Sequence, residues 1–138
     1  HYKIADKVRY INNELYTDEP NGLSGNEDCG QMSAWYILSS MGFYPVNPSN
    51  GAYVFGSPLF DEVSLNIPGQ NKFKISAKNN SDKNIYIQSV SLNGEDYKYS
   101  YITHKQILEG GKLEFVMGPN PNKNFGTEKK YRPKSIVY

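Results

Sequence analysis

The sequence has one cysteine, two histidines and one tryptophan. A single cysteine rules out an internal disulfide framework and a cysteine-rich zinc site. The two histidines, His1 and His104, are far apart, and neither lies beside a serine or cysteine in a nucleophile context. A Ser-His-Asp or Cys-His mechanism therefore has no support. Lys plus Arg number 15 against 14 Asp plus Glu, a net charge of +1. That leaves no reservoir of basic charge for a nucleic-acid backbone or an anionic membrane. No apolar run approaches the roughly 18 to 20 residues of a transmembrane helix. There is no phosphate-binding glycine loop, no dinucleotide fingerprint and no signal peptide. The first residue is His1, and the segment to Leu15 reads as mid-helix with no capping sequence before it. Both facts suggest a piece of a longer polypeptide, so the missing leader says nothing about location.

What is abundant is tyrosine: 12 of 138 residues, within an aromatic share of 14%. Hydrophobic residues reach 38% and charged residues 21%. A chain of this length and composition can bury a core and is bounded at one domain, or one small domain with added elements. Periodicity divides it near residue 45. Ile4, Val8, Ile11 and Leu15 recur at helical spacing, predicting a helix from about Tyr2 to Tyr16 with this stripe as its buried face. Pro20 and Asn21-Gly22 break it. A second helix is expected from about Cys29 to Met41, with Asp28 as N-cap, Gln31 as capping-box partner and Gly42 as the terminating C′ residue. Met32, Trp35, Tyr36 and Leu38 leave little of it clearly polar, so more than one neighbour should cover it.

After Pro45 the period becomes two. Strands are expected at Tyr53-Val54-Phe55, at Val63 to Ile67, at Phe73 to Ala77 and from Ile85 to Leu92. Asn93-Gly94 is a two-residue hairpin signal, and Tyr99 to Ile102 should continue beyond it. Thr103 with Gln106 opens a one-turn helix that Gly110-Gly111 ends. Leu113, Phe115 and Met117 alternate again, the tail after Gly118 meanders, and Ile136 to Tyr138 reads as a last strand. The expected class is α+β: an N-terminal helical hairpin over residues 1–45, then an antiparallel, sandwich-like β domain over 46–138.

The densest polar cluster is Asn26-Glu27-Asp28, between Gly25 and the second helix. Two adjacent carboxylates at a helix N-terminus sit in a positive backbone field that keeps them ionised. An ionised carboxylate in a cleft can deprotonate a water if burial raises its pKa enough. Against this stands the plainer role of cap and dipole-complementing charge, which such residues fill frequently. Cys29 reads as a small buried thiol, although a helix N-terminus can activate one. Asn79-Asn80-Ser81 has the form of a glycosylation sequon. Lys123, Lys129, Lys130 and Arg132 read as a solvated surface. Tyr97, Tyr99 and Tyr101 share a strand face by parity, which fits a sugar-stacking platform or, more commonly, a core face.

The run Gly25-Asn26-Glu27-Asp28-Cys29-Gly30-Gln31-Met32-Ser33-Ala34-Trp35-Tyr36, continuing to Met41-Gly42-Phe43-Tyr44-Pro45-Val46, resembles the C-terminal part of glycoside hydrolase family 92. These are calcium-dependent exo-α-mannosidases. Tyr53 to Asp61, Asn84 to Ser89, Leu92-Asn93-Gly94, Tyr101 to His104 and Gly110 to Phe115 agree in the same order, so the likeness spans essentially the whole chain. It implies an inverting glycosidase on an (α/α)6 barrel, of which the two helices form the last hairpin. An inverting enzyme needs an acid and a base about 6.5 to 9.5 Å apart, with a water between them and the sugar. The family's loop reads Gly-Asp-Glu-Asp or Gly-Asn-Glu-Asp before Gly-Gln, which maps the general base to Asp28. Asn26 stands where a second Asp is frequent; it cannot take a proton but can hydrogen-bond the attacking water. Glu27 would lie near that water or the calcium neighbourhood. Gln31 remains a capping and packing residue.

The resemblance further implies a calcium ion on two mannose hydroxyls, a general acid upstream of this chain, and mannose-containing N-glycans as substrates. It implies the rest of the barrel as partner and export to the periplasm or cell surface. The isolated segment is then expected to be inactive. The competing readings are a carbohydrate-binding module built on the three tyrosines and a purely structural domain.

Overall fold

The computed structural model describes residues 1–69 and 72–134. The last-strand expectation at Ile136 to Tyr138 lies outside the described residues. A 3-10 turn at Tyr2–Ile4 leads into α1 (Ala5–Glu14), and α2 spans Gln31–Ser40. Eight strands follow: β1 (Phe43–Asn47), β2 (Ala52–Phe55), β3 (Glu62–Leu65), β4 (Phe73–Lys78), β5 (Tyr86–Leu92), β6 (Glu95–Asp96), β7 (Tyr101–Thr103) and β8 (Gly111–Gly118). A short α3 (His104–Leu108) precedes β8, and a 3-10 turn at Lys129–Tyr131 lies in the tail. The class is α+β, as the periodicity predicts.

The strands form two sheets, ordered β1-β2-β7 and β3-β4-β8-β5-β6. All pairs are antiparallel except β4 with β8, which run parallel from Phe73↔Gly111 to Lys78↔Val116. The larger sheet is thus mixed where the sequence suggests a wholly antiparallel one. The two sheets share one core. Phe43, Phe55 and Ile102 come from the smaller sheet, and Phe73, Ile75, Val90, Leu113 and Phe115 from the larger. Phe55 meets Phe115 edge to face at 5.1 Å. Phe43, Phe55, Phe73 and Phe115 are fully buried, each contributing roughly 1.5 to 3 kcal/mol by leaving water.

The Asn93-Gly94 turn has positive φ at both residues (54° and 88°), the twist a tight hairpin requires. The chain after it departs from expectation. It leaves β6 after two residues and crosses to the other sheet, where β7 pairs with β2. Tyr97, Tyr99 and Tyr101 therefore do not share one strand. Tyr97 packs on Phe55 at 6.3 Å, and its hydroxyl donates to the Tyr101 carbonyl at 3.1 Å. Tyr99 is crossed edge-on by Tyr101 and Tyr131. The three rings pack on one another, with Tyr97 and Tyr101 half-buried and Tyr99 exposed. The Thr103 capping box is present, with Thr103 Oγ1 accepting from the Gln106 amide at 3.2 Å.

The first helix buries an unexpected face. Ala5, Arg9 and Asn12 are its buried residues, while Val8, Ile11 and Leu15 are half-buried and Ile4 is 38% exposed. The reason is a polar socket for Arg9. Its guanidinium donates to Ser57 Oγ at 3.0 Å, to the Pro58 carbonyl at 2.5 Å and to Asn80 Oδ1. Asn80 donates in turn to the Leu59 carbonyl and to Asp61. A buried arginine is tolerated because its donors are satisfied. The end of α2 docks beside this socket through Ser39 and Ser40, small residues that let the Leu59 and Phe60 amides reach the Ser40 carbonyl at 2.9 and 3.1 Å. Gly42 (φ 100°) ends the helix as predicted.

Candidate functional site

The connection between α1 and α2 is a closed turn followed by a strained loop. The Thr17 amide donates to the Gly22 carbonyl at 2.9 Å, and Tyr16 and Leu23 form an antiparallel bridge. This pins the loop at its entry. Gly25 has φ 150°, and then Asp28, Cys29 and Gly30 take φ of 40°, 60° and 85° in succession. Three consecutive left-handed residues, two of them with side chains, are costly. Such strain persists only where the surroundings over-determine it, and it clusters at functional sites.

The capping pattern differs from the one the sequence suggests. Helix α2 begins at Gln31 with Gly30 as N-cap, and no side chain of the N-cap residue bonds to it. Asp28, in left-handed backbone, is not the cap. Glu27 takes that part instead. Its Oε1 accepts from the Ser33 amide at 3.0 Å and its Oε2 from the Ser33 hydroxyl at 2.9 Å. The main chain adds to this, since the Gln31 amide is shared between the Glu27 and Asp28 carbonyls at 3.1 and 3.3 Å. One orphan amide of the first turn is thus met by a carboxylate from outside the helix, in the field that favours negative charge. Gln31 makes no capping box here.

Glu27 is half-buried, whereas Asn26 and Asp28 are exposed. Asp28 therefore lies at the solvent-facing surface of the loop. Asn26 presents an amide that can hydrogen-bond but cannot titrate. Cys29 is also exposed, not the buried thiol the sequence suggests, because the left-handed turn swings residues 28 and 29 away from the helix.

Behind the loop lies an aromatic wall. Tyr16 stacks on Trp35 at 5.7 Å and contacts Tyr36 at 5.0 Å, and Trp35 reaches Tyr44 at 6.3 Å. The Tyr16 hydroxyl donates to the Met32 carbonyl at 3.1 Å. Burial pushes the Tyr16 phenol up from its ordinary range, and the Glu27 charge adds to it. Sequence reasoning passed over Ser33 and Tyr16. For Ser33 the available signal was a hydroxyl on the first turn of a helix, next to amides with no partner within the helix.

The histidines are engaged elsewhere. His1 Nε2 donates to the Phe55 carbonyl at 2.8 Å, and His104 Nδ1 is 3.2 Å from the Tyr53 hydroxyl. Among the described residues no cluster of three or more His, Cys, Asp or Glu is disposed to hold a metal. The calcium that the resemblance implies does not fit a cage made by these residues. No described helix is long and apolar enough to cross a membrane.

Comparison with known proteins adds the following. The description of a glycosyl hydrolase family 92 catalytic domain matches residues 1–119. An uncharacterized secreted glycosidase of Arthroderma benhamiae is 33% identical over 124 residues, covering 88% of this chain and 16% of its own length. The solved family GH92 α-mannosidase BT3965 from Bacteroides thetaiotaomicron superposes with a TM-score of 0.92 at 39% identity, over 99% of this chain and 19% of that one. The inverting mannosidase BT2199 of the same organism gives 0.90 at 40% identity, over 97% of this chain and 18% of its own. The chain thus spans less than a fifth of the length of these relatives.

Proposed function

The chain belongs to glycosyl hydrolase family 92, and on that premise we propose that it is the C-terminal segment of an inverting exo-α-mannosidase and supplies that enzyme's catalytic base. The observation that carries this reading is the loop at residues 25–30. An exposed carboxylate, Asp28, stands on a backbone held in a strained, left-handed turn at the start of α2.

Asp28 accepts a proton from the water that attacks the anomeric carbon. Asn26 hydrogen-bonds the same water and leaves the proton transfer to Asp28. The leaving oxygen is protonated by an acid outside this chain, on the opposite face of the sugar and about 6.5 to 9.5 Å from the base. By the resemblance, most contacts to the implied calcium lie upstream of this chain. The substrates are terminal α-mannosides of N-glycans, and the enzyme works outside the cytoplasm, in the periplasm or at the cell surface. The secreted fungal relative and the two mannosidases from Bacteroides thetaiotaomicron support this reading.

Residues 1–45 are read as the last hairpin of the barrel and residues 46–138 as the β domain that braces it. Support comes from the apolar side chains the hairpin leaves outside, Tyr10 at 58% and Ile37 at 53% exposed, and from Val46 just beyond it at 72%. Val46 also lines an apolar groove of about 190 Å³, together with Val8, Trp35, Phe43 and Tyr44 among others. Further helices of a barrel would cover these surfaces. The binding-module reading is weakened, since Tyr97, Tyr99 and Tyr101 do not share one strand and only Tyr99 is exposed.

The test is Asp28→Asn in the full-length enzyme carrying this segment. Loss of a general base lowers kcat by roughly 100-fold or more, while the melting temperature stays near that of the parent. Turnover within a few-fold of the parent would remove Asp28 from the reaction.

A further inference from the structure

Asp28 and Cys29 occupy a left-handed backbone conformation that residues with side chains do not favour, and Gly30 continues it. Something must hold this turn. The loop has two ties across it. On one side the Gln31 amide binds the Glu27 and Asp28 carbonyls. On the other, both oxygens of the Glu27 carboxylate are fastened to Ser33, one to its amide and one to its hydroxyl. The Glu27 carboxylate folds under the turn, so that a side-chain carbon built at Gly30 would sit 3.9 Å from its Oε1. Asp28 lies between these ties, and among the described residues its own side chain has no hydrogen-bond partner. Its position is set by its neighbours.

We infer that Glu27 and Ser33 form a clamp that positions Asp28, and that Ser33 is a positioning residue of the reaction. This rests on the reading of Asp28 as the base. Ser33 touches neither the water nor the sugar in this scheme. Its hydroxyl fixes the second oxygen of Glu27, Glu27 fixes the left-handed turn, and the turn aims Asp28. A carboxylate displaced by as little as 1 Å loses much of its advantage in proton transfer. Loosening the clamp should therefore slow turnover without weakening substrate binding.

The experiment uses the full-length enzyme and a panel of α-linked mannobioses, with mannose release, KM and thermal melting measured for each variant. Ser33→Ala removes the hydroxyl and keeps the amide. It is expected to lower kcat about 10-fold, with KM within two-fold of the parent and the melting temperature unchanged. Ser33→Thr restores the hydroxyl and should recover most of the lost turnover. Glu27→Gln keeps the shape but weakens both bonds, and should fall between Ser33→Ala and Asp28→Asn. If Ser33→Ala and Glu27→Gln turn over like the parent while Asp28→Asn is inactive, the clamp is overturned and the base assignment survives. If Ser33→Ala lowers kcat, raises KM and lowers the melting temperature together, the role is structural and the inference also fails. If Asp28→Asn remains active, the reading beneath the inference fails, and the inference with it.

Discussion

Arg9 of α1 donates to the side-chain oxygen of Asn80, 71 positions further along the chain, from a site where the arginine is only 5% exposed. The same guanidinium reaches Ser57 and the Pro58 carbonyl. It ties the first helix to the segment after β2 and to the turn after β4. Replacing Arg9 with Ala leaves these acceptors without a donor inside the protein. Each such loss costs about 1 to 3 kcal/mol. Arg9→Ala should destabilise the protein by roughly 3 kcal/mol or more, read as a shift of the urea midpoint. Arg9→Lys should recover only part of it, since an ammonium cannot reproduce the fork of donors.

On β8, Glu114 receives Lys78 Nζ at 2.8 Å and Lys112 Nζ at 2.9 Å, one on each carboxylate oxygen. The two ammonium groups hold its carboxyl down to about 2 from 4.5. A depressed folded-state pKa adds stability above the ordinary value, and that stability is lost as the pH falls through the folded one. Stability should therefore decline between about pH 4.5 and pH 2 partly through Glu114. In Glu114→Gln this part of the decline should be absent, so the melting curves of parent and variant draw together at the acid end. Added salt should shrink the neutral-pH difference, because both lysines are more than half exposed.

Gly42 closes α2 at φ 100°, and a side-chain carbon built there would lie 3.1 Å from both a Phe115 ring carbon and the Pro58 Cβ. Both the backbone and the space are restricted. Gly42→Ala should cost roughly 1 to 3 kcal/mol. Thermal melting measures the loss, and near-ultraviolet circular dichroism should report disturbed packing at the Phe115 ring.

Local chemistry made much of the fold legible. The alternation at Phe73, Ile75 and Ala77 gives a strand that buries those three residues, and Asn93-Gly94 gives a turn with both φ values positive. Thr103 with Gln106 gives a capped helix. Each is decided by residues within a few positions of one another. What the sequence hid depends on distant partners. Arg9 enters a socket made by residues near 57 and 80, which no helical wheel displays, and it turns the helix away from its apolar stripe. The chain after Asp96 changes sheets because β2 offers it a pairing edge. At the candidate site, the motif itself stood out in the sequence, and its geometry did not. Asp28 looks like a cap by residue type. The carboxylate of Glu27, returning from three residues before the N-cap, supplies the cap, and that takes a turn in left-handed backbone.

The parallel pairing of β4 with β8 has a consequence for synthesis. Strand β8 lies between β4 and β5, so the larger sheet is in two halves until residues 111–118 exist. As the polypeptide leaves the ribosome, the β3–β4 hairpin emerges first and presents a bare hydrogen-bonding edge at Phe73–Lys78. The β5–β6 hairpin follows with an open edge of its own. Such edges invite pairing with other chains. The lysines at 72, 74 and 78, which flank or alternate with the buried residues of β4, discourage that encounter by repulsion during the interval. When β8 arrives it fills the gap between the two hairpins in one step, bringing Leu113, Phe115 and Met117 into the core. Assembly of this sheet therefore waits on a late, long-range event, and the nascent chain is most vulnerable to aggregation just before β8 appears.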